Sequence, residues 1–201
     1  MCDKRLCQRI AKGRWLEGAA TFASLVIGVA VTQQLLNLHF LLRERKRVRW
    51  DFLCLSVAIL IQLTIIMVWW GIAGPSRSAI TIGQFLPTFA ILVLLFLLSA
   101  ASLPDPADED ARDLRAYYDT NSSYIWGLFL MVTLLSSGLE VLNNAPNDRS
   151  FFNFLLSRFL DLLVLPLAML SLIFFHARWW HWTVLAVLAV GPIGWLSRSL
   201  T

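Results

Sequence analysis

Apolar positions along this chain run together instead of alternating with polar ones. Charge, Pro and Gly break them into six runs, at about 19–42, 52–73, 84–103, 124–143, 151–175 and 183–198. Each approaches the ~20 residues that a helix needs to cross a hydrocarbon core of roughly 30 Å. Backbone polar groups in lipid must be satisfied within their own segment, so the runs predict helices and exclude open strands. The sixth is the weakest, because "GPIG" at 191–194 interrupts it. The expected fold is all-α: a basic tail, 1–18, and then one domain, 19–201, built as a bundle of six transmembrane helices.

Alternate connections must then share a side. With the tail on face A, face B carries "RERKRVRWD" (43–51), "DPADEDARDLRAYYD" (105–119) and "HARWWHW" (176–182). Face A also carries "PSRSAITIG" and "APNDRS". The basic and acidic stretches of face B are placed to pair with each other. A short interfacial helix at 108–119 is expected to lead into the fourth span. Lys and Arg divide eight to eight between the faces, so the positive-inside rule gives a tie. The dense block at 43–49 favours a cytoplasmic face B, and insertion in both orientations stays open.

Within the spans, residues three and four apart share a helix face. Ala20, Ser24, Gly28 and Thr32 form a ladder of small residues that lets another helix approach closely. Thr133, Ser136, Ser137, Glu140 and Asn144 make a polar stripe in the fourth span. Asn153, Ser157 and Asp161 make another in the fifth, with Arg158 beside it. The short loop between these spans makes them antiparallel neighbours, so Arg158 can reach both Asp161 and, by snorkelling, Glu140. At ~1.5 Å per residue, Gln33, Gln34 and Gln62 fall near the depth of Asp161. Pro166 leaves the Leu162 carbonyl without a donor and is expected to kink the helix there. Glu140, Arg158, Asp161, Gln33, Gln34 and Gln62 are therefore the candidate intramembrane site. Two readings stay open: an ion or proton pathway, or polar glue that fixes helix register.

Composition agrees with the pattern. The chain is 58% hydrophobic and 15% charged over 201 residues, where a soluble domain has nearer a quarter charged. Its net charge of +4 lies in blocks beside apolar runs, which points to the bilayer and not to nucleic acid. The nine Trp gather at span ends as an aromatic belt. Cys2, Cys7 and Cys54 have neither a disulfide framework nor metal-ligand spacing. The first run, with Gln33, Gln34 and Asn37, is too long and too polar for a cleavable signal peptide. HExxH, GxSxG and phosphate-loop patterns are absent, and no lysine lies in a span. No cofactor or metal is expected, and an enzyme is disfavoured. His39, His176 and His181 fall near face B, where interfacial hydrogen bonding is expected.

The combination of "RERKRVRWDFL", "VWWGIAG" and "LPDPADEDARDLRAYY" resembles a group of small, uncharacterised bacterial multi-pass proteins over roughly 30–145. The resemblance implies a bacterial inner-membrane protein and brings no activity or site residue. The expected function is an ion, proton or small-solute transport, channel or sensing module. The alternative is a non-catalytic accessory or scaffold subunit of a larger membrane complex. Expected partners are the lipid bilayer and either further copies of the chain or other membrane subunits.

Overall fold

The structure, a computed structural model, describes residues 4–73, 82–105, 113–144, 160–175 and 177–196. The described residues are almost entirely helical: α1 Lys4–Arg43, α2 Phe52–Ala73, α3 Ile82–Ala101, α4 Leu114–Asn144, α5 Leu165–Phe174 and α6 Arg178–Leu196. Among the described residues, three helices are long and apolar enough to cross a membrane, within Thr21–Arg43, Phe52–Gly71 and Leu114–Leu142. Phe85–Ala101 and Leu162–Phe174 are shorter apolar helices.

Residue pairs that meet across helices fix the topology. Gln34 meets Ala58 and Ser24 meets Trp69, so α1 and α2 are antiparallel. Ala30 meets Ser99 and Asn37 meets Leu103, so α1 and α3 are parallel. Ser123 meets Ile173 and Thr133 meets Met169, so α4 and α5 are antiparallel, as expected. Asp51 meets Arg178 and Trp70 meets Trp195, so α2 and α6 are parallel. The helices thus alternate in direction. α2 carries no charged residue and packs against α1, α3, α4 and α6 at the centre.

The core follows from helical spacing. On α1 the packed stripe is Ala23, Ile27, Ala30, Gln34, Asn37 and Leu41, in steps of four and three. Leu53, Val57, Ile61 and Ile65 of α2 share one buried cluster with Leu95 and Leu98 of α3, Ile125 and Trp126 of α4, and Leu172 of α5. The opposite faces carry exposed Leu25, Ile59, Leu134, Leu167 and Val190. Apolar surface on every outer face suits lipid and would not be tolerated by water.

α1 starts at Lys4, within the basic stretch, and runs continuously into the first apolar span. Two expectations about local structure change. The expected interfacial helix, of which 108–112 lie outside the described residues, is continuous with the fourth span in one helix, Leu114–Asn144. The "GPIG" sequence does not end the sixth run, since α6 continues through Pro192 to Leu196. Pro192 removes one donor only, and no atom lies within 4 Å of the space a side chain would occupy at Gly191 or Gly194. The expected disturbance at Pro166 does occur, as a π-helical turn, Leu160–Val164, directly before α5. A widened turn accommodates a ring that cannot donate to the preceding turn.

Asp113 starts α4. Its Oδ1 accepts the N–H groups of Arg115 and Ala116, 3.1 Å each, which caps otherwise unsatisfied donors. The Ala116 N–H holds the carboxyl below its ordinary value, against a smaller opposing effect of desolvation, and the Arg49 guanidinium and the Arg115 N–H add to the lowering. A carboxyl whose value is lowered on folding contributes stability that is complete above the unfolded value, 3.8, and lost as pH falls through the folded one. Asp113→Asn keeps an acceptor but has no proton to take up. Thermal unfolding measured across pH 5 to about 2 is expected to show a shallower acid loss in this variant than in the wild type. Equal slopes would remove Asp113 from the acid response.

Candidate functional site

The glutamines of the candidate site lie on α1 and α2, and its carboxylates lie on α4 and the turn before α5. Gln34 is 5% exposed, and its Nε2 donates to the Ala58 carbonyl of α2, 2.7 Å. Gln62 stands one turn beyond Ala58 on the same face of α2. Gln33 donates along its own helix to Asn37 Oδ1, 3.2 Å, and Asn37 in turn donates to the Leu103 carbonyl. Among the described residues, the buried Oε1 atoms of Gln34 and Gln62 have no hydrogen-bond partner. Each such acceptor costs about 1–3 kcal/mol unless something donates to it. Glu140 is half-buried on α4. Asp161 lies in the π-helical turn, with its side chain outside the described residues, as is Arg158 altogether.

A second polar cluster closes face B, where the three predicted connections converge. Arg49 meets Asp113, both by an ion pair of 3.4 Å and by the Leu114 N–H donating to the Arg49 carbonyl. Deeper in, Arg178 at the start of α6 joins three segments. Its Nη2 lies 2.6 Å from both oxygens of Asp51, and its Nη1 lies 3.1 and 3.4 Å from those of Asp119. The arrangement ties the α1–α2 connection and α4 to α6 through charge-assisted bonds.

Beside this clamp runs a buried hydrogen-bonded chain. Trp126 Nε1 donates to the Tyr118 hydroxyl, 2.9 Å, which lies 2.7 Å from His181 Nδ1. His181 Nε2 lies 3.0 Å from the Phe175 carbonyl. One assignment satisfies every member: Nε2–H donates to Phe175, and Nδ1 accepts the tyrosine proton. His181 is only 2% exposed, so its hydrogen bonds at face B are made inside the core and not at the surface its position suggests. Together with Tyr118, Asp119, Ser122 and Arg178 it lines a cavity of about 360 Å³. Cys54, a free thiol, is buried beneath the cluster, near the Ser102 carbonyl.

Face B membership marks Asp51, Asp119, Arg178 and His181 as sharing one end. Nothing in the spacing says that a single arginine would join two carboxylates, or that the histidine would turn inward. Among the described residues, no three His, Cys, Asp or Glu side chains converge to hold a metal ion. No family model matches the chain, and neither a curated protein nor a solved structure matches it.

Proposed function

We propose that the chain is a six-span bacterial inner-membrane protein that acts, as an oligomer, as a transport, channel or sensing module for an ion, a proton or a small solute. The observation that carries this reading is the pair of buried, unpartnered acceptor oxygens, Gln34 Oε1 and Gln62 Oε1, inside apolar spans. In a bilayer no solvent compensates such atoms, and a passing cation or water supplies the missing interaction. In this reading Asp161 is the exchangeable carboxylate, Arg158 its counter-charge and Glu140 the face A entrance, while Gln33 holds Asn37 in register.

The test is flux into proteoliposomes. Gln34→Leu and Asp161→Asn are each expected to lower proton or cation flux by about tenfold or more, the effect of losing roughly 1.4 kcal/mol from the passage. Wild-type flux in both variants would show that neither residue lies on a path.

The accessory-subunit reading draws on a different feature. Ser24, Gly28 and Thr32 face outward, and among the described residues no atom beyond the local helix backbone and the two chain neighbours lies within 4 Å of the space a side chain would fill at Gly28. Such an open ladder accepts a helix of another subunit. Purification in mild detergent followed by mass spectrometry separates the readings. A stoichiometric partner together with no flux from the chain alone favours the subunit.

A further inference from the structure

The cavity at face B is unequally charged. Of the charged groups, Asp119 and Arg178 line it, while Arg178 is shared with a second carboxylate, Asp51, outside the lining; the neutral His181 assignment adds nothing, so across these three charged groups one negative charge is in excess. The sharing is also unequal. The Asp51 side chain is 14% exposed and takes the 2.6 Å contacts, while that of Asp119 is 52% exposed and held at 3.1 Å. The excess charge therefore sits on Asp119, facing the cavity. A carboxylate has about four acceptor sites, and a single Nη1 leaves most of those on Asp119 open.

We propose that this cavity binds the ammonium group of a small organic cation, either a free amine or the amine head of a lipid. The remaining walls fit that chemistry. Tyr118 and His181 stand edge to face, ring centroids 5.6 Å apart, with Trp126 behind them, and aromatic faces attract cations most strongly where water is scarce. Ser122, one turn beyond Asp119, adds a hydroxyl oxygen to the lining. An anion is disfavoured, because it must displace a carboxylate from Arg178 while being repelled by two. The volume lies at the lower end of the ~300–1,000 Å³ typical of ligand sites, which suits a headgroup or an amine of a few heavy atoms. Exposed Trp179 and Trp182 flank the site on α6 and set it at headgroup level, open to both sources. The site is separate from the intramembrane glutamines, so the outcome of the flux assays does not bear on it.

The experiment titrates the full chain, purified in an uncharged maltoside detergent, with ethanolamine hydrochloride. Intrinsic tryptophan fluorescence is the readout, with sodium chloride and sodium acetate as controls. A saturable change with ethanolamine alone is expected. Asp119→Asn is expected to weaken it by about tenfold or more, and Asp119→Glu to retain it within a few-fold, as for a charge-assisted contact. Far-UV dichroism checks that the variants fold. If Asp119→Asn does not fold, the preference of the wild type for ethanolamine over acetate decides. Repeating the titration in vesicles identifies the source. A lipid ligand raises the ethanolamine concentration needed in phosphatidylethanolamine vesicles over that in phosphatidylglycerol vesicles, whereas a free amine gives equal values. No saturable response, an equal response to sodium chloride or acetate, or undiminished binding by folded Asp119→Asn overturns the proposal.

Discussion

Arg178→Met is expected to destabilise the bundle by about 2–4 kcal/mol, the largest effect of any single charge removal at face B. The reason lies in what it abandons. Asp51 is largely buried and takes both of its short contacts from Arg178, so the substitution leaves a carboxylate in a poorly solvated place with no partner. The figure is set below that of a fully buried pair because the side chains of Arg178 and Asp119 keep 28% and 52% of their exposure. Met preserves the length and apolar stem of the side chain, so the charge is the main change. Adding Asp51→Asn to Arg178→Met should recover about half of the loss, since the orphaned charge goes with it. A double-mutant cycle on thermal unfolding in detergent measures this. If the double variant were no more stable than Arg178→Met, the clamp would not be acting through the Asp51 charge.

Trp126→Ala is expected to cost about 3 kcal/mol, towards the lower end of the range for emptying a buried aromatic site. Trp126 is fully buried, stacks on Phe129 and donates to Tyr118. In a bilayer a ring that leaves the core enters lipid rather than water, so the void and its lost contacts dominate the cost. Trp126→Phe keeps most of the volume and loses the donor, for about 1 kcal/mol. The expected order of unfolding temperatures is wild type, then Trp126→Phe, then Trp126→Ala. If the two variants unfolded together, the hydrogen bond and not the volume would be the larger contribution. The same donor orients the Tyr118 hydroxyl towards His181, so both variants also probe the wall of the face B cavity.

The helical elements were mostly legible in the sequence because apolar runs bounded by charge have one cheap solution in lipid. The second run, 52–73, matches Phe52–Ala73. Local punctuation was a poorer guide. Pro192 and its glycines read as a break, yet near a helix end a single missing donor is tolerated. Pro166, in the middle of a run, did alter the helix, because the preceding turn had to widen around it.

The α1 stripes illustrate the same limit for packing. Ser24, Gly28 and Thr32 read as a close-approach face, while Ala23, Ile27 and Ala30, one or two positions earlier, are the residues that the bundle buries. Both stripes recur at helical spacing, and the choice between them depends on where α2 and α3 lie. For the candidate site, Gln34 and Gln62 could be placed at a common depth from residue counting. That the amide of Gln34 would reach across to Ala58 and leave its oxygen unpaired depends on the helix interface.

That the chain is helical, that its elements suit a membrane, and that the stretches around Asp51, Asp119 and Arg178 share one end could be read from residue order alone. Those conclusions follow from hydropathy, the 1.5 Å rise and the alternation of direction, all of which are one-dimensional. Which face of α1 is buried, that Arg178 bridges Asp51 to Asp119, and that His181 turns into the core against Tyr118 emerge only once the helices are packed. Those outcomes depend on helix rotation and on distances of about 3 Å between residues more than fifty positions apart, which no spacing along the chain encodes.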